Sequence, residues 1–174
     1  MAPVDRCREC GFEYDLSEAW AAGPAIVDGT AELARALVSL GNDARRRRHD
    51  DVWSPLEYVC HVRDVLLVQR ERVLAARRVD RPSFAPMGRD ERVEHDGYLD
   101  QEPADVARQL NDAAMLFANV VRRLAEEDLD RTVMYSYPAA FERSLRWVAV
   151  HTIHEVRHHL QDVHRQLEPG RLEG

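Results

Sequence analysis

Apolar positions recur at three- and four-residue intervals in four long stretches of the chain, the repeat that one face of an α-helix produces. In the first, Leu33, Ala34, Leu37 and Leu40 predict a helix over 26–40, stopped by Gly41-Asn42. The second opens at Trp53-Ser54-Pro55 and is expected to reach about Arg78. Ser54 suits the N-cap, Pro55 the first helical position, and Glu57 the place a capping box requires. Residues 79–102 hold Pro82, Pro86, Gly88 and Gly97, the mark of a long connection with one short turn around Asp90 to Glu94. The third helix starts at Pro103, and Val106, Ala107, Leu110, Ala113, Ala114, Phe117, Val120, Val121 and Leu124 give it the most sustained stripe. The fourth follows Tyr135 to Pro138, has Ser144 as its cap candidate, and runs to about Leu167 before Pro169-Gly170.

Strand patterns are nearly absent. The expected fold is therefore all-α, a four-helix bundle with an irregular N-terminal arm and one long inter-helix connection. The arm spans 1–24, the bundle 25–168, and 169–174 form a tail. Two connections are long, so a simple up-down-up-down order does not follow.

Composition narrows the function. The chain has 174 residues, of which 45% are hydrophobic and 32% charged, as in a globular domain that can bury a core. A net charge of −7 argues against nucleic-acid binding, which needs a basic face. The run Arg45-Arg46-Arg47-Arg48 is the local exception and reads as a solvated connection. No apolar stretch approaches the ~20 residues of a membrane span, and 1–15 carry no apolar signal region. The expectation is a cytoplasmic protein with reduced cysteines and no membrane or nucleic-acid partner.

The fourth helix contains His151-Thr152-Ile153-His154-Glu155-Val156-Arg157-His158-His159. His154 and His158 stand four apart, on one helical face, a spacing that suits two ligands of one divalent ion. His151 is the reserve ligand. On the wheel, Ala149, Ile153, Val156, Leu160, Val163 and Leu167 share one side, with Trp147, His151, His154 and His158 roughly opposite. His61 similarly lies away from the main apolar face of the second helix. These positions fit either surface residues or a shallow, partly wet site between the second and fourth helices.

Two segments carry a resemblance to a known family. Trp53-Ser54-Pro55-Leu56-Glu57-Tyr58-Val59-Cys60-His61-Val62-Arg63-Asp64 resembles the W-S-x-x-E-x-x-x-H-x-x-D segment of DinB/YfiT-like proteins, and His151 to Asp162 resembles their last-helix H-E-x-x-H-H segment. The resemblance covers roughly 25–167. It implies a four-helix bundle with a three-histidine divalent-metal site, which by position falls on His61, His154 and His158. It also implies, for some members, transferases or isomerases that use a low-molecular-weight thiol such as mycothiol or bacillithiol. The expectation is zinc or nickel as cofactor, a small-molecule substrate or thiol as partner, and a homodimer. The ion would lower the pKa of a coordinated thiol or water. Asp64 and Glu57 are candidate second-sphere groups, though Glu57 is equally explained as a cap. Glu155 is expected at the surface or behind the ligands, and Arg63 and Arg157 are candidate anion holders. A non-catalytic metal-binding or stress-related sensor, and a plain interaction module, are the alternatives.

Cys7-Arg8-Glu9-Cys10-Gly11 departs from the family pattern and looks like half a zinc ribbon. It reads as a redox pair, as a metal site completed by a histidine or another subunit, or as two idle thiols. Cys60 reads as a small core residue.

Overall fold

The computed structural model describes residues 6–136 and 139–167. Four long helices form the bundle: α1 (Ala22–Leu40), α2 (Pro55–Ala76), α4 (Pro103–Val121) and α6 (Leu145–Leu167). Two short helices, α3 (Arg89–His95) and α5 (Glu126–Leu129), lie in the connections. Around the bundle, α1 packs on α4 and α6, and α2 packs on the same two helices. The first two helices thus stand diagonally, and consecutive long helices are not all neighbours as they are in an up-down-up-down bundle.

Each helix start has a local cause. At α2, Glu57 N donates to Ser54 Oγ (3.3 Å) and Ser54 N donates to Glu57 Oε2 (2.8 Å), the expected capping box. Arg47 donates from Nε to Glu57 Oε2 at 2.8 Å and pairs with it again through Nη2, so the cap is tied to the preceding loop. Arg45, from the same basic run, holds Glu102 and the carbonyls of Leu99 and Gln101. These two arginines join loops together, in place of the solvated connection the sequence suggested. At α6, Trp147 N donates to Ser144 Oγ at 3.2 Å, so Ser144 caps as expected.

Three features differ from the sequence reading. α1 begins at Ala22, earlier than expected, and continues a 3-10 turn over Leu16–Ala21 that Asp15 caps. Gly23 and Pro24 sit in its first turn, where proline has no hydrogen bond to lose, so this pair begins the helix instead of ending the arm. Second, β1 (Thr132–Tyr135) and β2 (Phe141–Ser144) pair antiparallel before α6. Four residues are too few for an alternation to stand out in sequence. Third, the arm is folded: Arg6 bridges Glu13, and Phe12 and Tyr14 pack against α6 through His154 at ring separations of 5.3 and 5.4 Å.

The core runs between the four helices through Ile26, Leu33, Leu37, Leu56, Leu66, Leu110, Phe117, Leu145 and Ile153. Cys60 lies in it, and burial pushes its thiol up to about 12, so it is an inert packing residue. No helix among the described residues is long and apolar enough to cross a membrane.

Candidate metal centre

α6 carries two interleaved pairs of potential ligands, His154/His158 and Glu155/His159. Each pair is four residues apart, and the pairs are offset by one residue, or ~100° around the helix. That offset sends them to different neighbours. Glu155 and His159 face α2, where they meet His61, and ligand atoms of these three lie within 4.8 Å of one another. His154 and His158 face the arm, where they meet Cys7 and Cys10. The structure therefore does not gather His61, His154 and His158 at one point. It groups His61 with Glu155 and His159, two residues the sequence reading left outside the ligand set.

The α2-side cluster is tightly organised. His61 Nε2 and His159 Nε2 each lie 3.7 Å from the same oxygen of Glu155, Oε2. The second carboxylate oxygen, Oε1, lies 3.5 Å from His151 Nε2 and 3.5 Å from His154 Nδ1. At 3.5 Å and beyond these are poor hydrogen bonds, so four imidazoles converge on one carboxylate without closing on it. By contrast, His159 Nδ1 donates to Asp162 Oδ2 at 2.9 Å, which turns Nε2 toward Glu155. Tyr14 OH lies 2.9 Å from His151 Nδ1, and the indole of Trp147 stacks on the same ring at 4.4 Å. Trp53 flanks His61 at 5.3 Å and Tyr58 flanks His159 at 5.4 Å, between ring centroids.

Burial and charge pull these groups apart electrostatically. Burial works against the charge on Glu155, yet the imidazoles of His154, His159, His61 and His151 hold its carboxyl well below the usual carboxylate range. Burial also opposes a charge on His159, but Asp162 and Glu155 outweigh it and push the imidazole up to about 9. At His151 burial outweighs the attraction of Glu155 and, with the nearby charges of His154, Arg72 and Arg143, holds the imidazole down to about 4. Burial lowers His61 as well, and its Nδ1 is enclosed without a hydrogen-bond partner.

The site is more enclosed than either alternative the wheel offers, surface residues or a shallow groove. His61 is 4% exposed and His154 8%, because the folded arm covers α6 and Trp53 covers His61. Asp64, expected near His61, instead accepts from Tyr98 OH (2.7 Å), Arg63 Nε (2.8 Å) and Arg92 Nη1 (3.1 Å), a buried knot that fastens the α2–α4 connection. Arg63 is held there and by Gln101 and Gln109, so it is not a free anion holder. Arg157 is exposed over the ring of Phe12 on the arm side. Glu57 is the cap described above. A groove of about 380 Å³ lies farther along α2 beside Arg72, Phe84, Met87 and Arg92, and none of the clustered ligands lines it.

A model of the DinB superfamily matches residues 25–163. The chain belongs to the DinB superfamily. The matched range includes His61, Glu155 and His159 and most of each long helix, and it leaves out Cys7 and Cys10 of the arm. Among solved structures, YfiT from Bacillus subtilis is similar in fold, with a TM-score of 0.75 over 96% of this chain and 93% of that one, at 13% identity. YfiT is described as a probable metal-dependent hydrolase with an unusual four-helix bundle topology. No curated protein matches the chain.

Proposed function

We propose that this DinB-superfamily chain is a metal-dependent hydrolase or thiol transferase whose divalent ion, zinc or nickel, is held by His61, Glu155 and His159. The observation that carries the reading is the approach of two imidazole nitrogens from two helices, one buried at His61 and one half-buried at His159, to one carboxylate oxygen at 3.7 Å each. That spacing is too long for hydrogen bonds and suits donors that share a small cation. Two histidines and one carboxylate are also the ligand set of hydrolytic zinc sites that keep an open position. When bound, such an ion supplies Lewis acidity, making water or a thiol nucleophilic at neutral pH.

The surrounding residues prepare this set. Asp162 fixes the tautomer of His159 and leaves Nε2 free for coordination. His151 is neutral at ordinary pH, so with Nδ1 engaged by Tyr14 OH its Nε2–H is left to face Glu155 Oε1. Trp53 and Tyr58 wall the site and lower its local dielectric, which strengthens each charge interaction inside. The match to the family and the description of YfiT support the reading; the choice between water and thiol as acceptor belongs to the assay.

The test is turnover of hydrolytic substrates, and of electrophiles with low-molecular-weight thiols, by untagged protein of known metal content. His61→Ala is expected to lose both the ion of this site and activity. Full activity in a variant that has lost this ion would overturn the reading. Inactivity in every assay with the ion retained would favour a non-catalytic metal sensor.

A further inference from the structure

The arm and the opposite face of α6 form another donor set, which the proposed reaction leaves unused. Cys7 N donates to Phe12 O at 2.8 Å, and Gly11 N donates to Cys7 O at 3.0 Å. Gly11 has φ +74°, a left-handed conformation that favours glycine and lets the chain reverse right after Cys10. The resulting knuckle presents both thiols to one side. Backbone amides of Cys10 and Glu9 are directed at the Cys7 sulfur, and that of Phe12 at the Cys10 sulfur. Opposite them stand His154 and His158, one helical turn apart. Ligand atoms of all four residues lie within 4.8 Å of one another, with Cys7 Sγ 3.8 Å from His158 Nδ1.

We propose that Cys7, Cys10, His154 and His158 form a structural zinc site that clamps the N-terminal arm onto α6, separate from the site of His61, Glu155 and His159. Two sulfurs at ~2.3 Å and two nitrogens at ~2.0–2.1 Å make a closed tetrahedron around zinc. In such a tetrahedron the donors stand roughly 3.3–3.8 Å apart, and these ligand atoms already lie within 4.8 Å of one another, so the set needs to close in by about 1.5 Å at most. A second observation points to a ligand. His154 is 8% exposed, yet neither of its ring nitrogens has a hydrogen-bond partner. Coordination resolves that buried, unpaired imidazole. A four-donor set leaves no open position, which is the mark of a structural rather than a catalytic site.

The clamp also reaches the other centre. His154 Nδ1 lies 3.5 Å from Glu155 Oε1, which leaves Nε2 as the donor toward zinc. His158, whose Nδ1 faces Cys7, has Nε2 3.3 Å from Glu9 Oε2 and 3.6 Å from Asp162 Oδ2. Each zinc-bound imidazole would present its other nitrogen to a carboxylate, as structural zinc ligands commonly do. Two of those carboxylates, Glu155 and Asp162, belong to the proposed reaction centre, so the clamp positions them.

Zinc K-edge absorption and cobalt(II) substitution of the untagged, reduced full chain test the proposal. Wild type is expected to bind two zinc ions, with sulfur at about 2.3 Å in the averaged shell, and to show thiolate-to-cobalt charge-transfer bands. His61→Ala should keep one zinc, ligated by two sulfurs and two nitrogens. Cys10→Ser should lose that ion and the charge-transfer bands. His158→Cys keeps four donors and should retain the ion with a third sulfur, which separates ligation from folding if Cys10→Ser is insoluble. Zinc without sulfur in the wild-type shell, or a Cys7–Cys10 disulfide that persists in reductant while zinc binding is unchanged, would overturn the proposal. Wild type with a single zinc on two sulfurs and two nitrogens would uphold the clamp and refute the reaction centre.

Discussion

Asp162 shows how a residue without a ligand role can govern a site. Its contact at 2.9 Å with His159 Nδ1 sets which ring nitrogen faces Glu155. Asp162→Ala is expected to weaken the ion of the His61 site about 10–100-fold, the usual effect of losing a carboxylate behind a ligating histidine; competition titration with a chromophoric chelator reads it, and unchanged affinity would remove Asp162 from the site. Glu57 supports the fold instead. Burial works against its charge, but Arg47 and the Ser54 amide outweigh that and hold its carboxyl below the ordinary value. A depressed carboxyl contributes stability that is present above its unfolded pKa and is lost as the pH falls through the folded one. Glu57→Gln should therefore cost about 1–2 kcal/mol at neutral pH, with the difference from wild type shrinking in acid. Denaturant titrations across that range check it, and a pH-independent difference would contradict the assignment.

At the level of elements, the decisive contact is between α1 and α6. A Cβ added at Gly29 would lie 2.7 Å from Val156 Cγ1, closer than real Cβ contacts come. Val156 is next to Glu155, so α6 can sit with its ligands toward α2 only because α1 offers bare backbone here. Gly29→Ala should destabilise by up to about 2 kcal/mol, the overpacking of about 1–3 kcal/mol being offset by a gain of ~1 kcal/mol in helix propensity. Adding Val156→Ala should relieve part of that, giving a double variant more stable than the sum of the singles; additivity in thermal unfolding would refute the close approach.

The same helix explains what the sequence could and could not tell. Helix existence was legible because α4 and α6 repeat their apolar positions over several turns. The caps at Ser54 and Ser144 were legible because their residue types act locally. Which α6 residues meet which partner was not. H-x-x-x-H at 154 and 158 stands out as a like pair, whereas the pair one residue on is disguised because its first member is Glu155. The signal was present in the run H-E-x-x-H-H, two i,i+4 pairs in adjacent registers. Reading it required knowing that the arm, whose polar segment gives no periodic pattern, folds onto the His154 face and leaves the Glu155 face to α2.

Across the whole molecule, the fold divides its labour between these two faces. α2 and α6 bring the proposed reaction centre together, and the arm closes over the far side of α6. The His154 face of α6 is enclosed because the segment before α1 covers it. The most direct measurement is anomalous diffraction at the zinc edge from crystals of untagged, zinc-loaded protein. A peak bounded by His61, Glu155 and His159 is expected, with His154 and His158 turned to a separate position beside Cys7 and Cys10. No peak at the first position, or one ion shared by His61, His154 and His158, would contradict this arrangement.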